Sequence, residues 1–188
     1  MAGPSGSPVS RRSQTSPSAA ALNAMPTNPK PLPPQLRPVL YGEDLEDDAF
    51  FMKRAFDQAA VSNPLIVLPD GQKVIEYLFG GGRYRDRLQY PLPALLLLDL
   101  NLPKKSGLEV LKWIRQDPAV ATLPVIVLTS SLLDADIHRG YLDGANAYLV
   151  KPGALDQLVG MVKTIRDFWL SQNRTSRQSW DAFGIQAS

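Results

Sequence analysis

The 188-residue chain has no cysteine and a single histidine, His138. Without thiols, disulfides, thiolate metal sites and cysteine nucleophiles are all excluded, and nothing marks an oxidising compartment. One imidazole cannot by itself build a histidine metal centre, so His138, set in the polar stretch LLDADIHRGYLDG, reads as a surface residue. Long hydrophobic runs are also missing. No apolar stretch approaches the roughly 20 residues that span a bilayer, and the N-terminus lacks the hydrophobic core of a secretory signal. The expected compartment is the cytoplasm, with no membrane partner. Nor is there a strong charge of either sign: the formal net charge is +2, and Arg11, Arg12, Lys30 and Arg37 lie before Pro38 with no acid among them. Setting those four aside leaves the remainder at −2, which gives no reason to expect nucleic acid as a partner.

What the chain does contain is ordinary globular material, with 44% hydrophobic and 20% charged residues, enough for one domain and its core. Its organisation is uneven. Residues 1–37 are rich in Ser, Pro, Ala and Asn and end in NPKPLPPQLRP, a composition unable to bury enough apolar surface to order itself. They are expected to form a disordered arm, stiffened by polyproline next to a domain over residues 38–171. The Arg- and Ser-containing, acid-free arm can also mimic an organelle transit peptide, and Met25 is a separate candidate for an alternative start. The last residues, 172–188, read as a loose tail.

From Val39 onward short apolar segments alternate with amphipathic ones. The segments VLYG, LIVL, ALLLLD, VIVLT and AYLV read as strands. The segments EDDAFFMKRAFDQA, GQKVIEYLF, SGLEVLKWIRQ, DADIHRGYL and ALDQLVGMVKTIRDFWLSQ read as helices between and after them. In the first helix Ala49, Phe50, Met52, Phe56 and Ala60 fall near helical spacing. FGGGRY lacks the lysine and hydroxyl of a phosphate-cradling loop and reads as a helix stop. Five β-α units with nearly continuous apolar strands predict a doubly wound, five-stranded parallel sheet with helices on both faces, an α/β fold.

In such sheets ligands sit beyond the carboxyl ends of the strands. Asp99 follows four leucines there, and a charge at the end of a buried segment is costly unless it is paired. Glu43 and Asp44 follow the first strand, Thr129 ends the fourth and Lys151 follows the fifth. Carboxylates brought together repel one another unless a hard divalent cation takes them as ligands, and Mg2+ suits such a set. Asp99 is then a candidate carboxylate nucleophile toward phosphorus. Lys151 would neutralise phosphoryl charge and Thr129 would donate to a phosphoryl oxygen. Taken singly, each residue is also explained as a helix-start acid, a turn former or a solvated loop lysine.

In order, VLYGEDLEDD, LLLLDLNLPKKSG, VIVLTSS and NAYLVKP resemble the receiver domain of two-component response regulators, the flavodoxin-like receiver fold, over roughly residues 38 to 170. The resemblance implies that Asp99 is the phosphorylated residue and that Glu43 and Asp44 form an acidic Mg2+ pocket. It implies that Asn101 offers its backbone carbonyl to the metal, that Lys151 pairs with the phosphoryl group and that a cis peptide precedes Pro152. Thr129 and Tyr148 become the switch pair, acting on the face made by the fourth helix, fifth strand and fifth helix. DGQKVIEYLFGGGRYRDRLQYPLP, DLNLPKKSG and IRDFWL further resemble the small stand-alone regulators associated with bacterial phytochrome kinases. The implied partner is a sensor histidine kinase, here of phytochrome type. A homodimer through the fifth strand and last helix, near Phe168 and Trp169, is also implied. Ser106, Gly153 and Leu45 depart from common receiver residues, but none of them is a phosphorylation residue.

The expected function is a single-domain response regulator, a phospho-accepting signalling protein and not an enzyme acting on a separate substrate. Its output would leave by protein contact or onward phosphotransfer. Two alternatives stay open: a receiver-like binding module that is never phosphorylated, and an aspartate-nucleophile phosphohydrolase. Asn101 disfavours the second, because that chemistry wants an acid two residues after the nucleophile.

Overall fold

Strands as apolar as LLLL and VIVLT offer water no polar face, so both sides of the sheet they form must be covered. The computed structural model describes residues 37–174, together with Met1 and Gly3. The chain divides into two units, Met1–Pro31 and Leu32–Ser188, and the fold below is that of the second. The expectations for the remainder of the N-terminal arm and for residues 175–188 lie outside the described residues.

The strands are β1 (Val39–Gly42), β2 (Leu65–Leu68), β3 (Leu95–Leu98), β4 (Val125–Thr129) and β5 (Ala147–Val150). Between and after them come α1 (Glu46–Gln58), α2 (Gly71–Phe79), α3 (Gly107–Gln116), α4 (Asp134–Leu142) and α5 (Leu155–Ile165). All strand pairs are parallel, in the order β2-β1-β3-β4-β5. The order reverses between β1 and β3, and this is the switch point where such sheets bind ligands.

Side-chain alternation divides the sheet between two cores. Leu40, Leu96, Leu98 and Val125 pack with α2 and α3, through residues such as Val74, Tyr77, Val110 and Ile114. Val39, Tyr41, Leu95, Leu97, Ile126 and Leu128 pack with α1 and α5 on the other face. In α1 the buried stripe is Ala49, Met52, Ala55 and Phe56, not the expected set, for Phe50 is 55% exposed. Ala60 lies beyond the helix with φ 51°. At about 100° per residue, Ala49, Met52, Ala55 and Phe56 share one face of the helix and Phe50 falls on the opposite side.

The glycine-rich segment stops α2 as expected: Gly80 caps the helix and a 3-10 turn follows at Gly82–Arg85. The basic stretch behind it turns partly inward. The Arg87 guanidinium donates to the carbonyls of Tyr77, Leu78 and Tyr90, while the rings of Tyr77, Tyr84 and Tyr90 pack at 4.9–6.2 Å. Carbonyls left unpaired at a helix end are thereby satisfied. The final helix is not one α-helix, because α5 passes into a π turn at Arg166–Gln172, closed by the Asn173 N–H on the Phe168 carbonyl at 2.7 Å. The Lys151–Pro152 bond is trans, correcting the cis bond implied by the resemblance. Trans is the lower-energy form even before proline.

Candidate phosphoacceptor site

A lysine placed directly after β5 reaches across the switch point, because Lys151 continues the β4–β5 ladder, its N–H bonded to the Thr129 carbonyl at 2.9 Å. Its ammonium donates to three carboxylates: Asp99 Oδ2 at 2.5 Å, Glu43 Oε2 at 2.5 Å and Asp48 Oδ2 at 2.8 Å. Burial alone would push the Lys151 pKa down, but the hydrogen bonds to Asp48, Asp99 and Glu43 outweigh it and hold the pKa well above the ordinary value. The ammonium therefore stays charged throughout the physiological range.

Each acid is fixed differently. Glu43 is buried, receiving the Tyr41 hydroxyl on Oε2 at 2.6 Å and the Leu45 N–H on Oε1 at 3.2 Å. Burial and the Glu43 carboxylate keep the Tyr41 phenol protonated by pushing its pKa far up. Asp99, also buried, accepts the Asn101 N–H on Oδ1 at 3.1 Å, so its two oxygens are oriented by two different elements. Asp48 sits in the first turn of α1. Asp44 is exposed and lines an open depression with Glu43, Phe50, Lys53 and Pro69.

Of the sequence-predicted residues, Glu43, Asp99 and Lys151 meet directly, and Asn101 joins them through its backbone. Asp48 was not singled out. Its signal was present, since it lies four, seven and eleven residues before Met52, Ala55 and Ala59, on the helix stripe that turns inward. Thr129 is fully buried, its Oγ1 accepting the Ser131 N–H at 3.4 Å. Tyr148 is half-buried and donates its hydroxyl to the Ser131 carbonyl at 3.2 Å. Thr129 and Tyr148 thus meet at one residue of the β4–α4 loop. Ser131 Oγ in turn donates to Asp136 of α4 at 2.5 Å.

Glu43, Asp44, Asp48 and Asp99 outnumber Lys151 and the Lys53 beside Asp44, so this sheet edge carries a formal negative excess. Among the described residues no three of these acids face one another as a ready-made cation cage, for the ammonium stands among them. The donor set nevertheless fits a hard divalent cation: its atoms are all oxygens and its net charge is negative.

Comparison with known proteins places the chain in a family. Residues 49–163 match the response regulator receiver domain model. The chain belongs to the response regulator receiver domain family. The match begins just after Asp48, so the acids before it stand outside the matched segment. Response regulator Rcp1 of Synechocystis sp. is 38% identical over 138 residues, covering 73% of this chain and 90% of Rcp1. The probable methanogenesis regulatory protein FilR2 of Methanothrix harundinacea is 37% identical, covering 73% and 86%. The crystal structure of the phosphorylated cyanobacterial phytochrome response regulator RcpA superposes with a TM-score of 0.69 at 36% identity, covering 74% of this chain and 98% of that one. Members of this family act in two-component signalling, and phosphorylation and Mg2+ are general features of it. Among the described residues no helix is long and apolar enough to cross a membrane.

Proposed function

We propose that this chain is a phospho-accepting switch of a cytoplasmic two-component phosphorelay, with Asp99 as the acceptor. The observation that carries the reading is the convergence of Asp99, Glu43 and Asp48 on the single ammonium of Lys151. An Asp99 carboxylate oxygen attacks the phosphorus of a phosphohistidine on the sensor kinase. The O–P bond forms as the P–N bond breaks, and the bonding pair leaves on the imidazole nitrogen. The Lys151 ammonium, already bonded to Asp99, follows the added charge onto a phosphoryl oxygen. The Thr129 hydroxyl turns toward the same group and releases the Ser131 N–H, and Tyr148 shifts with the loop. Glu43, Asp44, Asp99 and the Asn101 carbonyl would hold Mg2+, which when bound neutralises phosphoryl charge.

The relatives support a histidine kinase of phytochrome type as the partner. A second copy of the chain is a further partner, and Phe168, 50% exposed beside Trp169 in the π turn, favours the α5 end as its contact. Equal sedimentation of phosphorylated and unphosphorylated protein would remove phosphorylation as the control of that contact. The acceptor assignment is tested with Mg2+, a small-molecule phosphodonor and intact-mass measurement. A hydroxylamine-labile phosphoryl adduct is expected, lost with chelator and in Asp99→Asn. No adduct on the folded, Mg2+-supplied protein, or equal labelling of Asp99→Asn, would overturn the assignment and favour a contact-only module.

A further inference from the structure

Every strand but β2 delivers a polar side chain to the site, and the acid that follows β2, Asp70, is nonetheless buried to 5% exposure. It does two jobs with two oxygens. Oδ1 accepts the Lys73 N–H at 2.7 Å and so caps α2, while Oδ2 accepts the Lys104 ammonium at 2.5 Å. The first is an ordinary helix start. The second ties α2 to residues 100–105, the loop that runs from Asp99 to α3.

Other features of that loop point the same way. Lys104 holds φ at 64°, a left-handed conformation that is costly for a side chain without a local hydrogen bond to favour it. The Gly71 N–H donates to the Pro103 carbonyl at 3.2 Å, and a Cβ at Gly71 would stand only 2.0 Å from the Lys105 carbonyl oxygen. Only glycine permits so close an approach. Leu102 is buried from the other side, against the position of Gly42. The loop is therefore pinned at Leu102, Pro103 and Lys104, and two residues before Pro103 its Asn101 N–H is the group that orients Asp99 Oδ1.

We propose that Asp70 and Lys104 are positioning residues for phosphoryl transfer: their ion pair clamps the 100–105 loop and thereby fixes the Asn101 N–H on the acceptor carboxylate. This rests on Asp99 being the acceptor. Lys104 is 60% exposed and Asp70 only 7% exposed in their side chains, so the lysine is free to be replaced without opening the core. A misplacement of the loop by a fraction of an ångström is enough to slow a reaction that depends on alignment.

The test uses the full chain with Lys104→Met, Lys104→Arg and Asp70→Asn, the last keeping an oxygen to cap α2. Two quantities are read in each: hydrogen exchange of the Asn101 amide in the unphosphorylated protein, and the phosphorylation rate at saturating Mg2+. Lys104→Met and Asp70→Asn are expected to speed Asn101 exchange and to slow phosphorylation by about tenfold. Lys104→Arg is expected to restore both. Unchanged Asn101 exchange in folded Lys104→Met overturns the clamp, as does a rate equal to that of the parent. If the parent itself takes no phosphoryl group, the acceptor reading fails, while the exchange measurement still decides whether the clamp exists.

Discussion

The helices α1 and α4 lie at opposite ends of the sheet order and are built on different terms. α1 buries Ala49, Met52, Ala55 and Phe56 and places Asp48 on the Lys151 ammonium, whereas α4 buries no side chain of its own, only Gly140. The strands beneath them differ likewise: β1 is buried throughout and β5 is half-buried at every position. β1 and α1, which carry Glu43 and Asp48, are therefore packed firmly into the core. α4 and β5, by contrast, meet the β4–α4 loop through a few hydrogen bonds, from Tyr148 to the Ser131 carbonyl and from Ser131 to Asp136. The proposed switch would need both: an acceptor kept in register with its lysine, and an output element with an alternative arrangement of similar energy.

The largest effect should come from cutting into the packed core. Leu97, fully buried between neighbours on the α1–α5 face, becomes a cavity in Leu97→Ala. A loss of about 2–5 kcal/mol is expected by denaturant unfolding. Leu142 of α4 is 66% exposed, and Leu142→Ala should change stability by no more than about 0.5 kcal/mol. Comparable losses in the two variants would mean that α4 is held as firmly as the core, and the contrast would collapse.

That contrast was only partly legible in the sequence. LLLL and VIVLT announce two-sided burial, and their spacing between amphipathic segments gives the parallel sheet and hence the edge where Asp99, Glu43 and Lys151 meet. Local pattern could do this because each strand carries its own burial signal. Asp48 was passed over because it reads alike with Glu46 and Asp47 as an acid at a helix start, although its spacing to Met52 and Ala55 sets it on the inward stripe. The Asp70–Lys104 pair, 34 residues apart, was likewise silent, since Asp70 also reads as a plain helix cap. The passage of α5 into a π turn left no periodic mark that distinguishes it from a continuous helix.

A smaller and more informative effect belongs to Gly140→Ala. Alanine favours a helix interior over glycine by up to about 1 kcal/mol, so propensity alone predicts a more stable protein. The new Cβ, however, would stand 3.2 Å from Cδ2 and 3.5 Å from Cε2 of the Tyr148 ring. Either the ring or the helix has to give by a few tenths of an ångström. The ring is the softer of the two, being half-buried and tethered by one long hydrogen bond to Ser131. The expected outcome is a net stability change below about 1 kcal/mol, with Tyr148 displaced outward and its bond to Ser131 lost. The phenol reports this directly, because burial holds its pKa above the ordinary value in the parent. A raised phenol pKa adds stability below the unfolded value and loses it as pH climbs through the folded one. In Gly140→Ala that alkaline loss should shrink as the titration of Tyr148 moves down toward an exposed tyrosine. An unmoved titration with α4 amides shifted instead would show that the helix, not the ring, is the element that yields.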